Sequence, residues 1–266
     1  SFEAIDYAKT KNIDVIVLDH HQSEINLPRA YSIVNPNRLD DESNLQYLCA
    51  AGVSFMFLVS INRQLRLIDW FKNNSTNEPN LINYLDLVSL GTVCDVVPLV
   101  GLNRAIVKQG LKILKAKENL GLKTLLDICK IETSPSIYHL GYILGPRINA
   151  GGRVGKCSHG ANLLLNSNPK EVFKLATELD QYNKERKMLE KDLIEKILIE
   201  SKNKLEDPVL ILQGKDWHEG IIGIVASRLK DKFNKPAIII SLNGDIGKAS
   251  ARSIVGFDIG SVIIAA

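Results

Sequence analysis

Ile13-Asp14-Val15-Ile16-Val17-Leu18 runs straight into Asp19-His20-His21. The run is short, apolar and β-branched, which suits a strand covered on both faces of a parallel sheet. Parallel neighbours are joined by crossovers, so such a strand implies further strand–helix units beside it. Residues 2–9 read as the last turns of a helix leading into the strand. At the other end, Ser261-Val262-Ile263-Ile264-Ala265-Ala266 stops without a cap. The chain, which starts at Ser1, is therefore read as an internal fragment of a longer protein, with upstream βα units expected.

Working outward, Tyr31-Ser32-Ile33-Val34 is a second short strand and Asn35-Pro36-Asn37 a turn. Residues 48–67 read as a core helix with Gly52 near its start, and 81–90 as another. Gly91-Thr92-Val93-Cys94-Asp95 is expected to be a turn beside it. Helices are expected over 102–117 and 122–129. The segment 170–205 contains neither Gly nor Pro. Leu175, Leu179, Tyr182, Leu189, Leu193 and Ile197 fall on it at helical spacing, and Pro169 suits its first turn. A helix of that length, roughly 50 Å at 1.5 Å per residue, is read as a connector between two domains, with two helices separated by an undetected break as the alternative. Beyond it, 208–212 reads as a strand, 220–232 as a helix and 237–242 as a strand. That βαβ pattern begins a second α/β domain near Asp207.

The composition excludes several classes. Among 266 residues, 45% are hydrophobic and 24% charged, as in an ordinary globular chain rather than a disordered or collagen-like one. Lys and Arg number 33 against 30 Asp and Glu, a net +3, so an anionic partner is permitted but only local clustering of arginines could argue for one. Cys49, Cys94, Cys129 and Cys157 form no CxxC pair, which disfavours a zinc ribbon or redox motif and suits a reducing compartment. No apolar run approaches the ~20 residues of a membrane span, and no signal peptide is visible. A cytoplasmic location is expected, without a membrane partner.

Five segments could carry chemistry. Asp19-His20-His21 follows a strand, where open α/β sheets bind ligands, and imidazole with carboxylate suits Mn²⁺; it equally suits a solvated loop. Asp95 is a carboxylate inside the apolar run Val93-Cys94-Asp95-Val96-Val97-Pro98, costly unless paired, metal-bound or used as a cap. In Gly145-Pro146-Arg147-Ile148-Asn149-Ala150-Gly151-Gly152-Arg153, two arginines flank a Gly-rich turn that could hold phosphate or simply be surface loop. Trp217-His218-Glu219-Gly220-Ile221-Ile222-Gly223 opens a helix whose free N–H groups favour an anion. Gly247-Lys248-Ala249-Ser250-Ala251-Arg252-Ser253 offers two cations and two hydroxyls, a phosphate cradle.

In this order the segments resemble the DHH phosphoesterase superfamily. Asp19-His20-His21 is its naming motif, and Gly91-Thr92-Val93-Cys94-Asp95-Val96-Val97-Pro98-Leu99 its next. The segments at 145–153 and 217–228 resemble the RecJ family of single-stranded-DNA-specific 5′→3′ exonucleases, and the resemblance runs from about Val15 to Phe257. It implies an α/β fold in which a parallel-sheet DHH lobe (1–168, its C-terminal part) is joined by a long helix (169–206) to a smaller α/β DHHA1 lobe (207–266, truncated), the two lobes flanking a cleft. It implies two divalent ions, Mn²⁺ or Mg²⁺, with His20 and Asp95 as ligands. His21 would hydrogen-bond the scissile phosphate and Asp19 orient the histidines. Arg147, Asn149 and Arg153 would hold phosphates, and His218, Arg228, Lys248, Ser250 and Arg252 the strand from the second lobe. It implies single-stranded DNA as partner, a role in DNA repair and recombination, and a helicase or single-strand-binding protein as candidate companions. A related hydrolase of short oligonucleotides or phosphoanhydrides, and a catalytically silent DNA-binding relative, are the alternatives.

Two positions depart from the pattern: Ala249 stands where a glycine is expected, and Glu219 where a proline also fits. The family's first two motifs, with further metal-binding aspartates, are absent. The chain alone is therefore expected to bind metal weakly and to be inactive or nearly so.

Overall fold

The computed structural model describes residues 2–116 and 118–265. The expected helix end at Lys117 and the terminal Ser1 and Ala266 lie outside the described residues. The chain divides into two compact units, Ser1–Gly145 and Pro146–Ala266.

In the first unit, α1 (Phe2–Thr10) leads into β1 (Ile16–Leu18), which pairs in parallel with β2 (Ser32–Val34). Val17 lies opposite Ile33, and the ladder extends through Tyr31 N–H to Val15 O and Asp19 N–H to Val34 O. Ile13 and Ile16 are 59% and 49% exposed. This corrects the expectation of a strand covered on both faces: among the described residues β2 is its one partner. Helix α2 (Ala50–Leu67) begins at Cys49, whose sulfur accepts from Gly52 N–H. The short α3 (Trp70–Asn73) and a 3₁₀ turn (Leu81–Tyr84) lead to α4 (Leu85–Cys94), α5 (Gly101–Ala116) and α6 (Leu120–Ile128). The expected turn at 91–95 is thus the last turn of α4, with Asp95 as its C-cap. Gly91 lies within this helix; a β-carbon there would stand 2.7 Å from that of Ala51, so its bareness lets α2 and α4 approach. Leu85, Val88 and Ile106 form one core cluster of this unit, against Ala51, Phe55 and Leu102. A π-helical segment (His139–Leu144) closes the unit, its Leu140 and Leu144 fully buried.

In the second unit, α7 (Gly145–Val154) occupies the segment expected as a Gly-rich turn. Tertiary contact overrides the weak helix propensity of glycine here: a β-carbon on Gly151 would press on Lys156 O. Helix α8 (Ser158–Leu165) follows, then α9 (Pro169–Glu200), 32 residues and about 48 Å long. Asn168 caps α9, its Oδ1 accepting from Lys170 N–H and Glu171 N–H. The buried stripe of α9 is Val172, Ala176, Leu179, Asn183, Arg186, Glu190, Leu193 and Ile197. Leu189, expected on that stripe, is 37% exposed instead. After a 3₁₀ turn (Lys202–Glu206), β3 (Leu210–Lys215), α10 (Glu219–Phe233) and β4 (Ala237–Asn243) form the expected βαβ unit, β3 and β4 parallel. Next, β5 (Ile246–Arg252) pairs antiparallel with β4, a strand where a loop-like cradle was expected, and α11 (Ile259–Ala265) ends the unit. The core joins Leu193, Ile197, Leu210, Leu212, Trp217, Ile221, Val225, Leu229 and Ile239. Because α9 contributes Leu193 and Ile197 to this core, it groups with the second unit.

The α4–α5 crossing depends on Gly110, where a β-carbon would collide with Ser89 Oγ and Leu85 O. Ser89 Oγ donates to Leu85 O at 2.6 Å, so neither atom can retreat cheaply. Gly110→Ala is expected to destabilise the chain by about 3 kcal/mol, read as a lowered denaturant midpoint.

Candidate functional site

The first group lies just past the end of β1. Asp19 Oδ1 accepts from the backbone N–H of His20 (2.8 Å) and of His21 (3.2 Å), and meets His21 Nδ1 at 2.7 Å. Burial raises the Asp19 pKa, but the His21 ring and the two backbone donors outweigh it and hold the carboxyl below its ordinary value. An ionised carboxylate only accepts, so Nδ1 of His21 carries the proton, on a side chain that is largely exposed. The His20 and His21 rings lie 4.4 Å apart, tilted by 45°. Asp95, at the end of α4, places Oδ2 3.4 Å from His20 Nδ1. All four residues singled out in the first motifs, Asp19, His20, His21 and Asp95, thus gather in one place.

Two asparagines hold this loop. Asn35 Nδ2 donates to His21 O at 2.9 Å, and Asn37 Nδ2 donates to His20 O at 2.6 Å. They brace each other through Asn37 N–H to Asn35 Oδ1 at 2.8 Å. Sequence pattern alone marks Asn35-Pro36-Asn37 only as a turn. Its usable signal is two amides flanking a proline directly after a strand parallel to the one that delivers the histidines.

Val96, next to Asp95, has φ +59° and is 87% exposed. A β-branched residue is strained in this region, and such strain gathers at functional sites. Val96 occupies the position past a helix C-terminus that glycine usually fills. Cys94 is a protonated thiol: burial first, then the Asp95 and Cys49 charges, push its pKa up to about 11.

The second group lies in the second unit, around the first turns of α10. His218 caps that helix, its Nδ1 accepting from Gly220 N–H at 3.1 Å. Arg153, at the end of α7, donates from Nη1 to Gly220 O at 3.1 Å. A β-carbon on Gly220 would collide with Arg153 O, so this glycine sets the approach of α7 to α10. Arg252 on β5 donates from Nε to Ser227 Oγ and from Nη1 to Ser250 Oγ and Ala251 O, with Gly223 facing it. Lys248 pairs with Glu219 at 2.6 Å, so the residue departing from the family pattern neutralises one cradle cation. Arg228 is paired with Glu190 of α9 at 2.9 Å. Burial, then the Arg186 and Arg252 charges, lower the Arg153 pKa, partly offset by Glu190. The structure therefore brings together Arg153, His218, Arg228, Lys248, Ser250 and Arg252. Arg147 instead pairs with Asp180 of α9 at 2.8 Å, and Asn149 is exposed on α7. Arg186, Glu190 and Ser227 belong to this group and were not singled out from the sequence.

His20 and Asp95 test whether a divalent cation fits. Their chemistry does: an imidazole nitrogen and a carboxylate stand side by side, a donor set suited to Mn²⁺. Their number gives a partial shell, since among the described residues no group of three or more His, Cys, Asp or Glu side chains could hold a metal.

Residues 1–92 match the DHH family, N-terminal domain, and residues 206–266 match the DHHA1 domain. The chain is 41% identical over 265 residues to the single-stranded-DNA-specific exonuclease RecJ of Salmonella typhimurium, covering 96% of this chain and 46% of that protein. It is 34% identical over 256 residues to the RecJ of Bacillus subtilis, covering 95% of this chain and 31% of that protein. The chain thus spans less than half the length of these relatives. Among solved structures it resembles an exonuclease RecJ bound to manganese, with a TM-score of 0.78 at 28% identity, covering 99% of this chain and 63% of that one. It also resembles the Mn²⁺ complex of RecJ from Thermus thermophilus, with a TM-score of 0.79 at 27% identity, covering 100% of this chain and 38% of that one.

Asn35→Ala is expected to cost about 1–3 kcal/mol, because it leaves His21 O without its donor; the unfolding midpoint measures this. Val96→Gly is expected to stabilise by about 0.5 kcal/mol, as relief of about 1–2 kcal/mol of left-handed strain exceeds about 0.5–1 kcal/mol of added chain entropy. A raised melting temperature checks it.

Proposed function

We propose that this chain, a member of the DHH/DHHA1 superfamily, is the core of a metal-dependent phosphodiesterase that degrades single-stranded DNA from its 5′ end, in DNA repair and recombination. The observation that carries this reading is the gathering of Asp19, His20, His21 and Asp95 beyond β1. The domain reading has a DHH part over 1–168, a connecting helix over 169–206 and a DHHA1 part over 207–266. The family matches at 1–92 and 206–266 support its two ends.

His20 and Asp95 would hold Mn²⁺ or Mg²⁺, which when bound lowers the pKa of the attacking water and stabilises charge on the phosphoryl oxygens. Asp19 fixes the tautomer and direction of His21. His21 Nε2 is then free to donate to a phosphate oxygen as the imidazolium, or to take a proton as the neutral ring. The guanidinium groups of Arg153, Arg228 and Arg252 bind the sugar–phosphate backbone of one strand, with Lys248 and the Ser250 hydroxyl beside them. Asn149 and Arg147 are assigned the same class of contact, Arg147 from its pairing with Asp180. His218 serves through its cap, which shapes the α10 N-terminus that faces the backbone. A helicase and a single-strand-binding protein are the proposed companions. The proposed setting is cytoplasmic; among the described residues no helix is long and apolar enough to cross a membrane.

Binding carries the test, because two metal ligands are expected to give weak Mn²⁺ affinity and near-zero turnover. Fluorescence anisotropy should show the chain binding a 5′-labelled oligothymidylate more tightly than the same length of duplex. The logarithm of affinity should fall linearly with the logarithm of salt. Mn²⁺ binding by calorimetry should be lost in His20→Ala and Asp95→Ala. Equal affinity for duplex, absence of salt dependence, or Mn²⁺ binding indifferent to both substitutions would overturn the reading.

A further inference from the structure

Glu190 lies in the second half of α9, buried, at the end of a polar interruption (Asn183, Arg186, Glu190) in an otherwise apolar stripe. Each of its carboxylate oxygens has a different guanidinium partner. Oε2 accepts from Arg186 Nη1 at 2.9 Å, one helical turn away, and Oε1 accepts from Arg228 Nε at 2.9 Å, on α10. Arg186 is fixed in turn by Asn183 Oδ1, at 3.3 Å from Nε and 3.1 Å from Nη2. The two members of the inner pair, Arg186 and Glu190, keep only 11% of their side-chain surface in contact with solvent, whereas Arg228 keeps 65%.

The chain Asn183–Arg186–Glu190–Arg228 therefore runs from a buried, fully engaged end to an open one. At the open end Arg228 has spent its Nε, and among the described residues its terminal nitrogens have no protein partner. Ser227, the residue before it, accepts from Arg252 Nε at 3.0 Å, so Arg228 and Arg252 are presented from adjoining positions. Arg186 and Arg228 bond the carboxylate of Glu190 directly, and Arg153 feels its attraction against the repulsion of Arg186 and Arg252. A lone flexible arginine would lose rotamer freedom on meeting a phosphate; one tied at Nε has lost it already.

We propose that Glu190 is a positioning residue for phosphate binding: it aims the terminal nitrogens of Arg228 at the sugar–phosphate backbone of a single strand. The inference rests on the function proposed above and extends it to a buried acidic residue of the long helix. It makes a prediction opposite in sign to simple charge counting. Removing a carboxylate that interacts with Arg153, Arg186 and Arg228 should strengthen binding of a polyanion if Glu190 only offsets charge, and weaken it if Glu190 aims Arg228.

The experiment measures oligothymidylate binding by anisotropy across a salt series for the unmodified chain, Glu190→Gln, Arg228→Ala and the double variant, with melting temperatures alongside. Glu190→Gln is expected to bind about tenfold more weakly, the size of one lost charge-assisted contact. Its salt slope should be shallower by about 0.7, the single-strand value for one phosphate. In the double variant, Glu190→Gln should add nothing to Arg228→Ala. Glu190→Asp, which keeps the charge, should recover part of the affinity. Affinity unchanged or raised in Glu190→Gln, or a loss that adds to that of Arg228→Ala, overturns the proposal. If the Gln variant does not fold, NMR of the unmodified chain decides. The Arg228 Nε–H signal should be protected from exchange and stay in place when the oligonucleotide is added; rapid exchange, or a large shift on binding, overturns the proposal. An unmodified chain that binds no single strand at all sinks the functional reading instead, so the two failures are distinct.

Discussion

The geometry of the first unit's reactive groups depends on satisfying two backbone carbonyls. His20 O and His21 O lie where the chain has left its strand, so no ladder supplies their donors. Asn37 and Asn35 supply them from the neighbouring strand's exit, at 2.6 and 2.9 Å. Because β1 and β2 run in parallel, both strands end on the same side and their following loops meet there. The parallel pairing, the asparagine bridges and the Asp19 bonds to both histidine N–H groups fix the loop from three directions. Only then does the end of α4 bring Asp95 beside an imidazole whose position is already set.

The second unit solves a different problem, the crowding of like charge. Its basic residues come from four elements: Arg153 from α7, Arg186 from α9, Arg228 from α10 and Arg252 from β5. Close approach is made possible by missing side chains, at Gly220 against α7 and at Gly223 against Arg252. Cohesion comes from Glu190 and from hydroxyl and carbonyl oxygens that take up guanidinium N–H groups one at a time. The result is a surface with unspent donors rather than a set of closed ion pairs.

Much of this was legible in the sequence. The apolar runs of β3 and β4 with α10 between them, the start of α9 at Pro169, and the meeting of Asp19, His20, His21 and Asp95 follow from pattern and motif. The misses share a cause: the information lay in a partner distant in the sequence. Residues 145–153 look like a turn because they hold three glycines, yet those glycines permit helix packing. Residues 246–252 lack the apolar alternation of a half-buried strand, because β5 lies at the sheet edge and is mostly exposed. Leu189 fits a helical repeat, but the buried stripe passes through Arg186 and Glu190, polar residues that no hydrophobic pattern can nominate.

The polar stretch inside α9 has one more effect. Its apolar residues recur at intervals of three and four, so oily contacts alone would tolerate a slip of two helical turns against the surrounding core. Asn183, Arg186 and Glu190 remove that freedom. Any displaced alignment would strand a carboxylate or a guanidinium in the interior, at a penalty far above what mismatched leucines incur. The rod is thereby locked lengthwise as well as sideways, and its far end is delivered to the β3 sheet at a single height.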